Sequence, residues 1–167
     1  MKIKIALGGG CHWCTEAVFQ SLKGVEKVNQ GYVASTGENN WFSEAVIVHF
    51  EDEVITLKTL IEIHLHTHKS ASAHSMRNKY RSAIYTFTEE QFADSSLILN
   101  ELKIKLDQNI ITKIYPFFEF KESRKEIQNY YTKGPEKPFC VRFINPKLEL
   151  LLTNFSSQIR KDFIKKK

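Results

Sequence analysis

Cys11 and Cys14 are the residues of this chain best placed to do chemistry, because of what surrounds them. The segment Gly8-Gly9-Gly10-Cys11-His12-Trp13-Cys14-Thr15-Glu16 follows an apolar run over 3–7 and leads into Ala17-Val18-Phe19-Gln20-Ser21-Leu22, which reads as strand, glycine turn and helix start. A cysteine at a helix N-terminus meets unsatisfied backbone N–H groups and the positive end of the helix dipole. Both stabilise an anion, and they can pull a thiol pKa from about 8.5 towards neutrality. The thiolate, not the thiol, is the nucleophile. The glycines permit a tight turn and leave the sulfur uncovered, which a buried structural cysteine would not need. This predicts thiol chemistry at Cys11. Cys14, one turn further in, reads equally well as a small hydrophobe facing the core.

A C-x-x-C pair is also half of a zinc site, or a redox dithiol like that of thioredoxin. Zinc needs four ligands, and the chain offers one further cysteine, Cys140, with His64, His66, His68 and His74 outside the usual finger spacing. No metal and no cofactor are expected. The dithiol reading stays open.

Single-domain size agrees with an enzyme. A chain of 167 residues buries roughly two-thirds of the surface its unfolded form exposes, enough for a core without staples. Three cysteines are too few for a disulfide scaffold and suit a reducing compartment, where pairs are transient. The first residues lack the apolar core of a signal peptide, and no stretch approaches about 20 apolar residues, so a cytoplasmic protein with no membrane contact is expected. The net charge of +5 is concentrated in Arg160-Lys161 and Lys165-Lys166-Lys167, and no glycine–aromatic RNA-binding motif appears, so nucleic acid is not expected as a partner. A monomer is expected.

The elements that must position the cysteines follow from periodicity. Strands are predicted over 25–33, 44–50, 83–87 and 110–115. In 44–50, Val46, Val48 and Phe50 face one side, and Ala45, Ile47 and His49 the other. Helices are predicted over 56–65, 88–106 (opened by the capping box Thr88-Glu89-Glu90-Gln91), 122–131 and 146–159. This order argues an α+β fold, a two-layer sandwich of a mixed β-sheet with packed helices.

The nucleophile segment GGGCHWCTEAVFQSLKGV resembles that of the A-type peptide methionine sulfoxide reductases, whose usual form is GG-C-F-W-C/G-x-E before an apolar helix and Gly-Val. Gly31-Tyr32, Glu44-Ala45-Val46, Tyr80-Arg81-Ser82-Ala83-Ile84-Tyr85, and Tyr130 with Lys133-Gly134-Pro135 through Phe139-Cys140 resemble further motifs of that family, in family order from Gly8 to Leu148. The resemblance implies the same two-layer fold over 1–167. It also implies reduction of the S epimer of methionine sulfoxide, free or in proteins, to methionine. Sulfoxide reduction needs a thiolate to attack sulfur and an acid to protonate the oxygen, a poor leaving group as the oxide. Cys11 matches the nucleophile. Glu44 matches the acid, in an apolar strand where burial favours the protonated form of a carboxyl. Tyr80 matches a tyrosine that contacts the sulfoxide oxygen, and His12 and Trp13 match the rings that hold the sulfoxide methyl group. Tyr85 and Arg81 read as framework.

Attack leaves a sulfenic acid, which condenses with a second thiol. Cys140 matches the family's resolving cysteine. It follows Lys133-Gly134-Pro135-Glu136-Lys137 and Pro138, whose glycine and prolines argue a mobile C-terminal segment without regular structure. Cys14 is the alternative resolver, disfavoured because a C-x-x-C disulfide in a first helical turn is strained. Reduction of the disulfide implies a thioredoxin-like partner.

Four departures stand out. His12 replaces phenylalanine. The stretch between Gly37 and Glu44 is short and lacks a second oxygen-binding tyrosine. His68-Lys69-Ser70 and His74-Ser75-Met76-Arg77-Asn78 lack the family aspartate, and Ile127-Gln128-Asn129-Tyr130 lacks the family histidine. They sustain an alternative, a thiol–disulfide exchange or redox-sensing protein on the same fold, in which an imidazolium at His12 would stabilise the thiolate. A reductase needs Glu44 within reach of Cys11; an exchange module does not.

Overall fold

The computed structural model describes residues 1–73 and 75–163; His74 and the Lys165-Lys166-Lys167 tail lie outside them. Six strands form one sheet: β1 (Lys2–Gly8), β2 (Val25–Ala34), β3 (Ser43–Glu51), β4 (Ala83–Thr86), β5 (Lys113–Pro116) and β6 (Glu119–Glu122), in the order β5-β4-β1-β3-β2-β6. Only the β4–β5 pair is parallel. The helices are α1 (His12–Gln20), α2 (Leu57–His66), α3 (Glu89–Leu106), α4 (Tyr130–Lys133) and α5 (Asn145–Asn154).

Strand alternation sorts the core into two sides. Ile5, Leu7, Val46, Val48 and Phe50 share one buried cluster with Val18 and Phe19 of α1, Leu60 and Ile61 of α2, Leu99 and Leu102 of α3, and Leu148 and Leu151 of α5. Every helix that supplies core residues therefore lies on one face. On the other face Ala6, Ala45, Ile47, Ala83 and Tyr85 are covered by Phe87, Tyr115, Phe117 and Phe120. These are the two layers expected, and the second face is closed by aromatic side chains rather than by a helix. Arg81 stabilises that closure. It stacks on Trp41 at 4.3 Å and donates to the carbonyls of Asn39 and Trp41, the framework role expected of it.

The capping box forms in altered shape. Thr88 Oγ1 accepts from the Gln91 N–H at 3.0 Å, but Gln91 Oε1 accepts from Phe87 N–H, and its Nε2 donates to the Lys4 carbonyl of β1. The cap thus also pins α3 to the sheet.

Three expectations fail, all after residue 110. The strand over 110–115 begins at Lys113, and β6 was missed altogether. The helix over 122–131 does not form: a strand end, a 3-10 turn at Lys125–Ile127 and the short α4 take its place. Buried Glu16 on α1 accepts the N–H groups of Asn129 and Tyr130 at 3.0 and 3.2 Å, and Gln30 Nε2 takes the Ile127 carbonyl at 3.0 Å. These backbone groups would have bonded within the helix; distant side chains hold them instead, and Asn129 adopts a left-handed φ of 56°. Finally, the last helix starts earlier than 146. Residues 138–154 are helical, with a π-wound middle at Cys140–Ile144. Pro138 opens the run, where its missing N–H costs nothing. Pro146 falls inside it, and the wide π turn just before relieves the clash of its ring with the preceding turn. Cys140 therefore sits in a helix rather than in the irregular segment expected, which ends at Pro138.

Candidate active site

Cys11 caps α1. Its backbone is extended (φ −57°, ψ 129°), its carbonyl accepts the first helical N–H bonds from Cys14 and Thr15 at 3.1 Å each, and its side chain is partly exposed. Gly9 makes the turn possible, with a φ of 148° and His68 so close that a Cβ would meet its ring at 2.5 Å. The thiol pKa is lowered from its ordinary 9.0, above all by the Cys14 S–H donated to its sulfur and then by the Trp13 and Cys14 N–H groups; burial and the Glu44 charge work against them. The helix end thus contributes as expected, but the second cysteine contributes more. Cys14 is pushed the opposite way by the same contact and by burial, so it stays a thiol and a donor. Burial also raises Cys140, which leaves Cys11 as the one thiol of the three whose pKa is lowered.

A cavity of about 480 Å³ opens at Cys11, and His12, Trp13, Glu44 and Tyr80 line it with Tyr32, Lys79, Phe139 and others. Five of the six residues singled out from the sequence meet there. The sixth, Cys140, is fully buried behind the wall, close enough to Cys14 for the two charges to interact, while its neighbour Phe139 faces the cavity.

Glu44 is 6 % exposed. Its Oε1 accepts the His12 backbone N–H at 3.2 Å and lies 3.3 Å from His12 Nδ1, and its Oε2 lies 3.6 Å from Lys79 Nζ. The carboxyl is thus anchored to the backbone of the residue that follows Cys11. His12 is buried, with Nδ1 3.2 Å from the Gly31 carbonyl, and burial lowers its pKa. Burial outweighs the Glu44 charge and so works against the imidazolium expected in the exchange-module reading. Trp13 stacks on Tyr130 (centroids 4.2 Å apart, planes at 13°) and meets Phe139 edge-on at 5.1 Å, so the retained indole is held rigidly.

Sequence reasoning missed Tyr32, Lys79, Glu16 and Lys147. Tyr32 pairs with Glu44 across β2 and β3 and packs edge-on against His12 at 5.2 Å. Cross-strand partners share a sheet face, so the strand register would have found this phenol in the same cavity as Glu44. Glu16, through Asn129 and Tyr130, holds the support of Trp13, and burial raises its pKa. Lys147 of α5 is half-buried, donates to the Thr67 carbonyl and carries its charge near both Cys14 and Cys11. Glu16 is the glutamate that closes the nucleophile motif, which marks its position but not its partners; no local pattern marks Lys147. Among the described residues, the acidic cluster close enough to share a cation is Glu51, Asp52 and Glu53, outside this cavity and facing the Met1 ammonium.

Comparison with known proteins agrees with this geometry. The family model described as peptide methionine sulfoxide reductase matches residues 3–159. The peptide methionine sulfoxide reductase MsrA of Psychrobacter sp. (strain PRwf-1) is 33% identical over 94% of this chain and 98% of its own. That of Sulfolobus acidocaldarius is 32% identical over 89% and 93%. Among solved structures, reduced Mxr1 from Saccharomyces cerevisiae shares the fold with a TM-score of 0.73 at 22% identity, covering 83% of this chain and 89% of that one. Mxr1 in complex with Trx2 does so at 0.60 and 24%, covering 77% and 84%. With Cys11, Trp13, Glu44 and Tyr80 gathered at one cavity on that fold, the chain belongs to the peptide methionine sulfoxide reductase family.

Proposed function

We propose that this chain reduces the S epimer of methionine sulfoxide, free or in proteins, with Cys11 as nucleophile and Glu44 as acid. The observation that carries the reading is the shared cavity: a sulfur whose thiol pKa is lowered and a buried carboxyl reach the same space, which an exchange module would not require. The Cys11 thiolate attacks the sulfoxide sulfur while Glu44 passes a proton to the oxygen. The S–O bond breaks, leaving Cys11 and the methionine sulfur joined as a sulfonium and the oxygen as hydroxide. That hydroxide or its equivalent from water adds to Cys11 Sγ, and the S–S bond breaks with its electron pair on the methionine sulfur. Methionine leaves with Cys11 as a sulfenic acid, two electrons having passed from the thiolate to the sulfoxide. Trp13, backed by Tyr130 and Phe139, and His12 hold the methyl group, and the Tyr80 hydroxyl donates to the oxygen.

A second thiol then displaces water from the sulfenic acid. Cys140 is assigned as resolver. It reaches Cys11 when the helical run over 138–144 opens, and the π-wound stretch is the weakly hydrogen-bonded part of that run. A specific contact favours a second reading: Cys14 already donates its S–H to Cys11, so a Cys11–Cys14 disulfide needs only a rotation, against the strain of closing it within one helical turn. Either disulfide is returned to dithiol by a thioredoxin-like reductant through thiol–disulfide exchange, a reading supported by the complex known for the related fold. The test is steady-state turnover of each sulfoxide epimer with thioredoxin, thioredoxin reductase and NADPH. Consumption of the S epimer alone is expected; turnover of neither epimer would refute the reading.

A further inference from the structure

Lys79 is fixed beside the acid by its backbone. Its carbonyl accepts the Glu44 N–H at 3.0 Å and the Ser43 hydroxyl at 2.9 Å, while the flanking Arg81 N–H donates to the same Ser43 hydroxyl at 2.7 Å and the flanking Asn78 carbonyl accepts from Trp41 Nε1 at 2.8 Å. The segment 78–81 is thus strapped to the start of β3, the strand end that carries Glu44. From there the Lys79 side chain lines the cavity, with Nζ 3.6 Å from Glu44 Oε2, 5.2 Å from the centre of the Tyr80 ring and in polar contact with the Tyr80 hydroxyl. At 3.6 Å the carboxylate contact is longer than a hydrogen bond, which leaves N–H donors for a third oxygen in the same space. Glu44, Tyr80 and Lys79 converge on the place where the sulfoxide oxygen must sit to receive a proton from Glu44.

We propose that Lys79 is a further catalytic residue, its ammonium donating a hydrogen bond to the sulfoxide oxygen as negative charge builds there during attack by Cys11. The proposal rests on the assignment of sulfoxide reduction to this cavity. Lys79 keeps its proton; the oxygen leaves with the proton of Glu44, and the cation stabilises the charge between the two events. An S–O bond is already polarised towards oxygen, and thiolate attack adds an electron pair to the sulfur it is bound to, so the interaction strengthens from ground state to transition state. That is the condition for a donor to raise kcat rather than only lower KM. The contact with Tyr80, more than that with Glu44, raises the Lys79 pKa, so the cation persists across the working pH range. A buried donor of this kind is worth roughly 10²–10³ in rate; the Lys79 side chain is 56% exposed, and solvent screening reduces the expectation to about 10–100-fold.

The experiment compares wild type, Lys79→Gln and Lys79→Arg with methionine S-sulfoxide, separating kcat from KM, and follows the Cys11 thiolate by its absorbance near 240 nm as a function of pH. Lys79→Gln is expected to lose about 10–100-fold, mainly in kcat, with the thiolate titration unmoved, and Lys79→Arg to recover most of the loss because it restores a cationic donor. Lys79→Gln within threefold of wild type overturns the proposal. So does a loss confined to KM, a loss tracked by a shifted thiolate titration, or an arginine variant as poor as the glutamine one. Wild-type protein inactive on every sulfoxide would instead bring down the assignment of function, and this proposal with it.

Discussion

The two walls of the cavity are built in opposite ways. The nucleophile wall, Gly9 to Trp13, is one stretch of chain whose glycines and helix start position Cys11 by local rules, with Cys14 adding its S–H from the next turn. The adjoining apolar wall, Ile127 and Phe139 with Tyr130 behind Trp13, has no local rule to hold it. Gln30 ties down Ile127, and Glu16 reaches Tyr130 114 positions away in sequence. A local wall fixes the chemistry of an atom; an assembled wall fixes the shape of a space. Variants of the first should therefore change rate and pH dependence, and variants of the second should change stability and affinity.

The largest effect belongs to the local wall. Cys11→Ser removes the only cysteine at the head of a helix after a glycine turn and should abolish sulfoxide reduction, measured as methionine released in a single turnover. Glu44→Gln should follow with a loss of about 10²–10⁴-fold, the range for a general acid, and an unchanged fold by circular dichroism. Activity equal to wild type would place the acid elsewhere.

Glu16→Ala tests the assembled wall. It orphans the Asn129 and Tyr130 N–H groups and takes one of the two acceptors of the Gln30 amide, and leaving such groups unpaired costs about 1–3 kcal/mol. Urea unfolding should show that loss, together with a raised KM and altered Trp13 fluorescence as its stacking partner loosens. A stability loss with unchanged KM and fluorescence would separate Glu16 from the site.

Smaller effects sharpen the contrast. The thiolate fraction of Cys11 rises with pH through a pKa held below the ordinary 9.0, so kcat/KM should climb with pH in a range below 9. Cys14→Ala removes the largest stabiliser of that thiolate, so the climb should move to higher pH; an unmoved profile would assign the lowering to the helix end alone. His12→Phe should lower KM a fewfold by making the methyl pocket less polar, although it gives up the ring contacts to Gly31 and Glu44. A higher KM would mean that those contacts matter more than the apolar surface.

Legibility in the sequence follows the same division. The strand–glycine–helix signature around Cys11, the alternation in β3 and the Thr88 cap were readable because each rests on residues within a few positions of one another. The region after 110 was not. The periodicity of 122–131 suits a helix, but its backbone partners are Glu16 and Gln30, on elements no window over that region contains. Pro138 was read as excluding helix around Cys140, yet a proline excludes it only upstream and can open a helix itself. Tyr32, quoted only as part of a motif, and Lys79 receive no site role from the sequence because their nearness to Glu44 depends on strand register and on the Ser43 strap, neither of which composition reveals.

The most direct test of the central claim is to treat fully reduced protein with one equivalent of methionine S-sulfoxide, quench with a thiol-blocking reagent and map the cysteine peptides without reduction. One methionine per chain is expected, with Cys11 recovered in a disulfide whose partner is Cys140 in the assigned cycle and Cys14 in the second reading. Methionine released while Cys11 is recovered as a free, blocked thiol would contradict it.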